Sequence, residues 1–164
     1  MTRVTTAASL PTAGVLLLAS ACFTVPIAKP QRSPLDPALL GIWQCTAVDD
    51  ESGDPAQLQV VRFDERQYYA EWKERDKVDR YRAYPVRAGG TTFLSVGELE
   101  PSSRWPWTAV LYSVRDGELS LQLPAKRVLD MSDEKAAMRE LKAKASRPDI
   151  WQPLTRCRRP ESGA

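Results

Sequence analysis

Apolar and polar residues alternate along most of the chain from Leu39 onward, with the period of two that is typical of half-buried β-strands. The clearest run is 118–123, in which leucine occupies every second position. Asp116 and Gly117 precede this run, and an Asp-Gly pair between alternating runs predicts a tight hairpin because its turn needs positive φ. The same pattern predicts strands over 41–48, 57–63, 67–72, 78–86, 91–96, 107–114, 118–123 and 154–159.

The period changes near Ser132, where the sequence predicts the single helix. Residues 132–145 begin with Ser132 as a candidate N-cap, carry acidic residues in the first turn and end with basic ones. Ala137, Leu141 and Ala145 form a narrow apolar stripe, so we expect the helix to lie on the surface of the sheet. The chain therefore predicts a mainly β domain over 39–160, an antiparallel meander curled into a small barrel or a strongly bent sheet, with a C-terminal helix before the last strand. Residues 161–164 are predicted to be a disordered tail.

The N-terminal region has the pattern of a processing signal. Residues 4–28 contain no charged side chain, and Arg3 precedes them. The strongly apolar part, 13–23, has the length of a signal-peptide core, whereas a membrane-spanning helix needs about 20 apolar residues. Residues 1–21 are therefore predicted to be a signal peptide and are left out of the folded domain.

The end of this segment, Leu18-Ala19-Ser20-Ala21-Cys22, resembles the lipobox of bacterial lipoproteins. The resemblance implies that Cys22 receives a diacylglycerol and becomes the acylated first residue, anchoring the chain to a membrane. Because Phe23 rather than aspartate follows, it also implies the outer membrane, with the domain facing the periplasm. Two alternatives stay open: Ala19-Ser20-Ala21 also fits an ordinary signal-peptidase site, which would release a soluble exported protein, and the segment would otherwise stay as an uncleaved anchor.

The cysteine count agrees with lipidation. The chain has three cysteines, and lipidation of Cys22 leaves Cys45 and Cys157 as an even pair in a compartment where disulfides persist. Cys45 lies on the first predicted strand and Cys157 on the last, so a disulfide between them would tie the two ends of the sheet together. The alternative is that both are buried thiols.

Four prolines follow Cys22, at positions 26, 30, 34 and 37. Such a density favours an extended, semi-rigid segment. We therefore predict that residues 22–38 form a tether, which would hold the domain roughly 40–45 Å from the membrane at about 3 Å per residue.

Composition excludes some classes of function. The net charge is +2, and removal of Arg3 with the signal leaves 22 basic and 21 acidic residues, a balance of +1 that argues against a nucleic-acid-binding protein. The chain has no histidine, which removes the commonest general base and the commonest metal ligand. We therefore expect a non-enzymatic protein with no cofactor and no metal.

Two groups of carboxylates are weak candidates for chemistry. Asp49, Asp50, Glu51 and Asp54 gather acidic side chains but lack the spacing of a calcium loop, so they predict a solvated turn. Glu98 and Glu100, beside two tryptophans, suggest a hydrolase acting on cell-wall glycans, which needs two carboxyl groups across one bond.

The start of the first strand resembles another family. Gly41-Ile42-Trp43 looks like the G-x-W that opens lipocalins, and a helix followed by one more strand is similar to the end of their fold. In that family the tryptophan closes the floor of the barrel and a late arginine packs over its ring. The resemblance implies that Arg156 or Arg158 takes that place here.

Two functional hypotheses follow. In the first, the domain is a binding module, and its inner face encloses an apolar pocket for a lipid-like ligand; the predicted lining residues are Trp43, Tyr68, Trp72, Leu119 and Leu121. In the second, the core is filled and the protein is an interaction or structural protein of the envelope, with Trp105 and Trp107 contacting a protein partner. Small eight-stranded barrels either fill with side chains or hold one ligand, and sequence does not decide which.

Overall fold

The computed structural model describes residues 23–30, 33–49, 54–100 and 107–160, which form a closed barrel. Each strand pairs antiparallel with the next, and the last strand pairs with the first. The strands are β1 Gly41–Ala47, β2 Ala56–Arg62, β3 Tyr68–Glu74, β4 Lys77–Ala88, β5 Thr91–Glu98, β6 Trp107–Arg115, β7 Glu118–Pro124 and β8 Trp151–Arg158. Two helices, α1 Lys126–Leu129 and α2 Glu134–Lys144, separate β7 from β8, and single 3₁₀ turns, Pro37–Leu39 and Pro148–Ile150, precede β1 and β8. The predicted mainly β fold, with a helix before the last strand, is confirmed.

The hairpin and the helix arise from local sequence. Asp116 and Gly117 have φ values of 50° and 77°, as the predicted turn between β6 and β7 requires. Helix α2 begins one residue later than predicted, because Asp133, not Ser132, is its N-cap: the Asp133 carboxylate accepts hydrogen bonds from the amides of Lys135 and Ala136.

The apolar face of α2 packs on the outside of the barrel, as its narrow stripe predicted. Ala137, Leu141 and Ala145 are buried in a cluster that includes Phe93 and Trp151. The rings of Phe93 and Trp151 lie 5.6 Å apart, and the Trp151 indole N–H donates to the carbonyl of Ala145. This outer cluster fixes the helix against β5 and β8.

The barrel interior is a second cluster, and the disulfide lies within it at the closing seam. Cys45 and Cys157 are directly opposite each other on β1 and β8, with their Cα atoms 3.9 Å apart, and their sulfur atoms are bonded. Both cysteines are buried. The predicted pairing of Cys45 with Cys157 is confirmed, and it covalently joins the first strand to the last.

One end of the barrel, the plugged end, is closed by residues that precede β1. Leu35 and Leu39 are buried in the interior cluster. The Trp43 indole N–H donates to the carbonyl of Leu39 at 3.0 Å, and the guanidinium of Arg159 lies 4.3 Å from the centre of the Trp43 ring. Arg159 also donates to the carbonyls of Ala38 and Leu40. The Arg159 side chain therefore covers the Trp43 ring at the floor of the barrel.

The arginine over the Trp43 ring is Arg159, not Arg156 or Arg158 as the resemblance implied. Because Cys157 faces inward, Arg156 and Arg158 flank it on the outer surface, where Arg158 pairs with Glu118. Arg159 lies one residue past the end of β8 and is free to turn toward Trp43. Gly41 makes room for it: its φ is +126°, and a Cβ atom there would overlap the Arg159 guanidinium.

The predicted tether over 22–38 is wrong for the part of that segment that the structure describes. Residues 23–30, which we call the strap, lie against the outside of the barrel, with Phe23 and Ile27 buried. Phe23 forms an isolated β-bridge with Trp107, and the Tyr84 hydroxyl donates to the carbonyl of Ala28. Apolar residues lie between the prolines and pack on the barrel, so the folded domain includes the strap. Residues 1–22 and 161–164 lie outside the described residues.

Candidate binding site at the end of the barrel opposite the plug

The end opposite the plug carries inward-facing side chains that are only partly buried. The β3–β4 and β5–β6 connections lie at this end. Period-two alternation and the strand register place seven partly exposed residues on the inner face here: Ala70, Trp72, Asp79, Tyr81, Val96, Glu98 and Thr108. We call this set the mouth.

The register places aromatic rings and carboxylates side by side on neighbouring strands of the mouth. Trp72 on β3 lies opposite Asp79 on β4, and Tyr81 on β4 lies opposite Glu98 on β5. At the rim, Asp79 forms an ion pair of 2.9 Å with Lys77, and the Trp72 indole N–H is 3.5 Å from a carboxylate oxygen of Glu74. The mouth thus has apolar and aromatic walls below a charged rim, an arrangement suited to an amphiphilic molecule.

The structure divides the five predicted lining residues into two groups. Trp43, Tyr68 and Leu119 have no exposed surface and Leu121 is buried, all within the interior cluster that Leu35 and Leu39 complete. Trp72 alone among the five is partly exposed, at the mouth. Sequence reasoning missed Val96 and Thr108 as lining residues, although they share an inner face with Leu94 and Val110 at a spacing of two.

Asp36 binds two tyrosines inside the plugged half of the barrel. Its backbone amide donates to the Tyr68 hydroxyl at 2.5 Å, and the Tyr112 hydroxyl donates to its carboxylate at 3.4 Å. Burial raises the pKa of both phenols, and the negative charge of Asp36 raises the pKa of Tyr112 further. Both tyrosines therefore ionise at a higher pH than a solvated tyrosine does.

These raised pKa values predict a loss of stability in alkaline solution. An unfolded tyrosine ionises near its model value of 10.0, whereas Tyr68 and Tyr112 stay protonated in the folded protein. Stability is therefore fully present below about pH 10 and falls above it until the folded phenols ionise as well, at no more than about 1.4 kcal/mol per pH unit for each phenol. Urea unfolding at about pH 9 and about pH 11 measures this change.

Tyr112→Phe is the matched control for the alkaline loss, because it removes one phenol and leaves the ring. Its free energy of unfolding should fall less steeply between the two pH values than that of the wild-type protein. Equal slopes would show that Tyr112 ionises as easily in the folded chain as in the unfolded one.

Trp107, predicted to lie exposed at a contact surface, is buried outside the barrel beneath the strap. Its ring lies against Gly97, where a Cβ atom would come within 2.7 Å of the indole. Tyr84 lies 6.1 Å from it, and the Arg82 guanidinium lies 5.0 Å from its ring centre. With 8% of its surface exposed, Trp107 is a packing residue, and the prediction that it contacts a partner is wrong. Trp105 lies outside the described residues.

The candidate carboxylates do not converge on one site. Glu98 is on the inner face of β5, whereas Glu100 lies past the strand and pairs with Arg80 on the outer surface. In the acidic turn, Asp54 pairs with Arg75 at 3.2 Å, while Asp50 and Glu51 lie outside the described residues. Within the described ranges, no three His, Cys, Asp or Glu side chains form a group that would hold a metal ion.

A wide polar cleft of about 510 Å³ lies at the plugged end, beside the β6–β7 turn. It is lined by Arg115, Asp116, Gly117, Glu118, Arg158 and Arg159. Two of its three arginines already have structural partners, since Arg158 pairs with Glu118 and Arg159 covers Trp43. The mouth, with its apolar walls, is the better candidate for a binding site.

Comparison of the chain with protein-family models, curated proteins and solved structures finds no match. Among the described helices, none combines the length and the apolar character needed to cross a bilayer.

Proposed function

We propose that this protein is a lipid-anchored component of a bacterial cell envelope whose barrel is a non-enzymatic binding domain for an apolar or amphiphilic ligand. The observation that carries the proposal is the set of partly exposed, inward-facing residues at the mouth, on the four neighbouring strands β3 to β6. Four of the seven, Ala70, Trp72, Tyr81 and Val96, are apolar or aromatic, which suits contact with an apolar or amphiphilic molecule. The other end is plugged by Leu35, Leu39 and Trp43.

The anchor is supported by the lipobox-like sequence before Cys22 and by the pairing of the other two cysteines. Because Cys45 and Cys157 bond to each other, Cys22 is left as the single unpaired cysteine of the chain. A diacylated Cys22 would hold the protein on a membrane, which we take to be the outer membrane on its periplasmic side. Two acyl chains give stable anchoring, whereas one chain gives only marginal binding.

The anchor is tested by the intact mass of protein extracted from native membranes with detergent and without reducing agent. We expect a chain that begins at Cys22, is heavier by a diacylglyceryl group and is lighter by the two hydrogens of the disulfide. A chain beginning at Cys22 without lipid would indicate a soluble exported protein, and retention of residues 1–21 would indicate an uncleaved anchor.

Ligand binding is tested by organic extraction of the purified protein and mass analysis of the compounds released. Ala70→Trp places a large ring on the inner wall of the mouth, so it should abolish the bound compound. Val61→Trp is the matched control, because Val61 is exposed and lies on the outer face of the neighbouring strand β2. This control should retain the compound at the wild-type level.

The second candidate is an envelope interaction or structural protein with a filled core. It is favoured by the complete burial of Trp43, Tyr68 and Leu119, three of the five predicted lining residues. An extract that contains no apolar compound, for wild-type protein as for Ala70→Trp, would support this candidate and exclude the first.

A further inference from the structure

The start of the strap is held firmly on the barrel. The Phe23 amide donates to the carbonyl of Trp107 at 2.5 Å, and the Trp107 amide donates back to Phe23 at 3.1 Å. The next residue, Thr24, is held by Glu134 of α2, which accepts from both its amide and its hydroxyl. Cys22 directly precedes Phe23 in the sequence, so one peptide bond joins the two residues. An anchor on Cys22 would therefore reach the barrel without a spacer.

The attachment point is at the mouth end of the barrel. Trp107 is the first residue of β6, and the next residue, Thr108, belongs to the mouth. Trp107 also lies opposite Gly97, the neighbour of Glu98 on β5. The bilayer that holds the anchor would consequently lie near the mouth, away from the plugged end.

Three exposed apolar residues lie on segments next to this attachment point. Val25 is 52% exposed, Leu99 is 43% exposed and Met131 is 36% exposed. Val25 lies two residues after Phe23 on the strap, and its amide is within 3.4 Å of the carboxylate of Glu134. Met131 precedes the N-cap of the same helix, and Leu99 follows the last residue of β5 at the mouth. Exposed apolar residues that gather at one site mark a contact surface.

A second group of exposed apolar residues provides a comparison within the same chain. Ile42, Val61 and Phe63 lie on β1, on β2 and just after β2, toward the plugged end. These residues belong to β1, to β2 and to the turn after β2, whereas the strap pairs with β6. If the anchor sets the membrane contact, only the first group should touch the bilayer. If any exposed apolar residue can touch it, both groups should.

We infer that the mouth end of the barrel rests directly on the bilayer that holds the Cys22 anchor, with Val25, Leu99 and Met131 in the interfacial layer. The inference rests on the anchor of the proposed function and adds an orientation to it. The mouth then opens beside the membrane surface, so an amphiphile would exchange between the bilayer and the barrel over a short path.

The test uses the protein extracted with its anchor, after its intact mass has been measured, and reconstituted in phospholipid vesicles. The vesicles contain a phospholipid with a diazirine in the part of its acyl chain nearest the headgroup. After irradiation, proteolysis and mass analysis locate the labelled residues. We expect labels at Val25, Leu99 and Met131, and none at Ile42, Val61 or Phe63.

A variant with twelve Gly and Ser residues inserted between Cys22 and Phe23 is the control for the short connection. Such a linker has a root-mean-square length of about 20 Å, so it frees the barrel from the surface while the anchor and the strap stay intact. Labelling of Leu99 and Met131 should fall several-fold.

The outcomes separate this inference from the proposed function. A lipidated chain that is labelled at Ile42 or Phe63, or nowhere on the barrel, overturns the orientation and leaves the anchor in place. Labelling of Leu99 that does not change with the linker also overturns it. A mature chain without lipid overturns both.

Discussion

Loss of the disulfide between Cys45 and Cys157 should lower the free energy of unfolding by about 4–5 kcal/mol, the largest effect that we expect from any local change in this protein. The bond closes a loop between residues that are 112 positions apart, and it lies at the seam between β1 and β8. In its absence the unfolded chain regains the freedom of that loop. Domains of this size have only about 5–15 kcal/mol of stability in total, so the reduced protein would keep about 0–10 kcal/mol.

The measurement is urea unfolding of Cys45→Ala/Cys157→Ala beside the wild-type protein. Alanine is preferred to serine because both positions are buried, and burying a polar hydroxyl group costs free energy. The wild-type protein in reducing agent should unfold at a similar urea concentration. A double variant that is less stable by under about 1 kcal/mol would show that the seam is held by strand pairing and packing alone.

Trp43→Ala should cost about 3–5 kcal/mol, the second large effect. Trp43 has no exposed surface, so its removal leaves a cavity at the floor of the barrel. The carbonyl of Leu39 would also lose its donor, and Arg159 would lose the ring on which its guanidinium lies. The plugged end would then loosen, although the mouth lies at the other end of the barrel.

Two further variants separate these contributions, again by urea unfolding. Trp43→Phe keeps an aromatic ring but removes the indole N–H, and it should cost less than alanine does. Arg159→Met keeps much of the side-chain length and removes the charge, so it should cost about 0.5–2 kcal/mol. Arg159→Met could instead lower the stability as much as Trp43→Ala does. The floor would then be held together by Arg159 and its hydrogen bonds to Ala38 and Leu40 more than by the buried indole.

The two ends of the barrel have different tasks in the proposed function. The plugged end supplies rigidity, since Trp43, Arg159 and the turn Pro37–Leu39 are fixed to each other by packing and by hydrogen bonds to backbone carbonyls. The mouth end carries the partly exposed inner face and the attachment of the strap. Binding and membrane contact would therefore share one end, and variants at the other end should change stability more than binding.

Much of the fold was predicted from the sequence because its signals are local. The alternation in 118–123 follows from the pleat of a strand, which turns every second side chain toward the core. The Asp116–Gly117 turn follows from the positive φ that these two residues tolerate. The pairing of Cys45 with Cys157 follows from parity and from their places on the first and last strands. Each of these predictions needs only a few neighbouring residues or the number of cysteines.

The candidate site was predicted less well, because it depends on distances across the barrel. Alternation marks Trp43, Tyr68 and Trp72 equally as inward-facing. Only the stagger of the strands and the position of the plug decide that Trp43 and Tyr68 are sealed whereas Trp72 lies at the mouth. No pattern along the chain records how far each residue lies from the end of a barrel.

The sequence by itself determined the strands, the hairpin turn and the surface helix, since each is set by residues close in the chain, and the cysteine count favoured the disulfide over two buried thiols. Only the tertiary structure decided that 23–30 is a packed strap, that Arg159 covers Trp43 and that Trp107 is buried. Prolines between apolar residues are equally compatible with a free tether and with a strap. The choice depends on whether a complementary surface exists, and here β4, β5, β6 and α2 provide it.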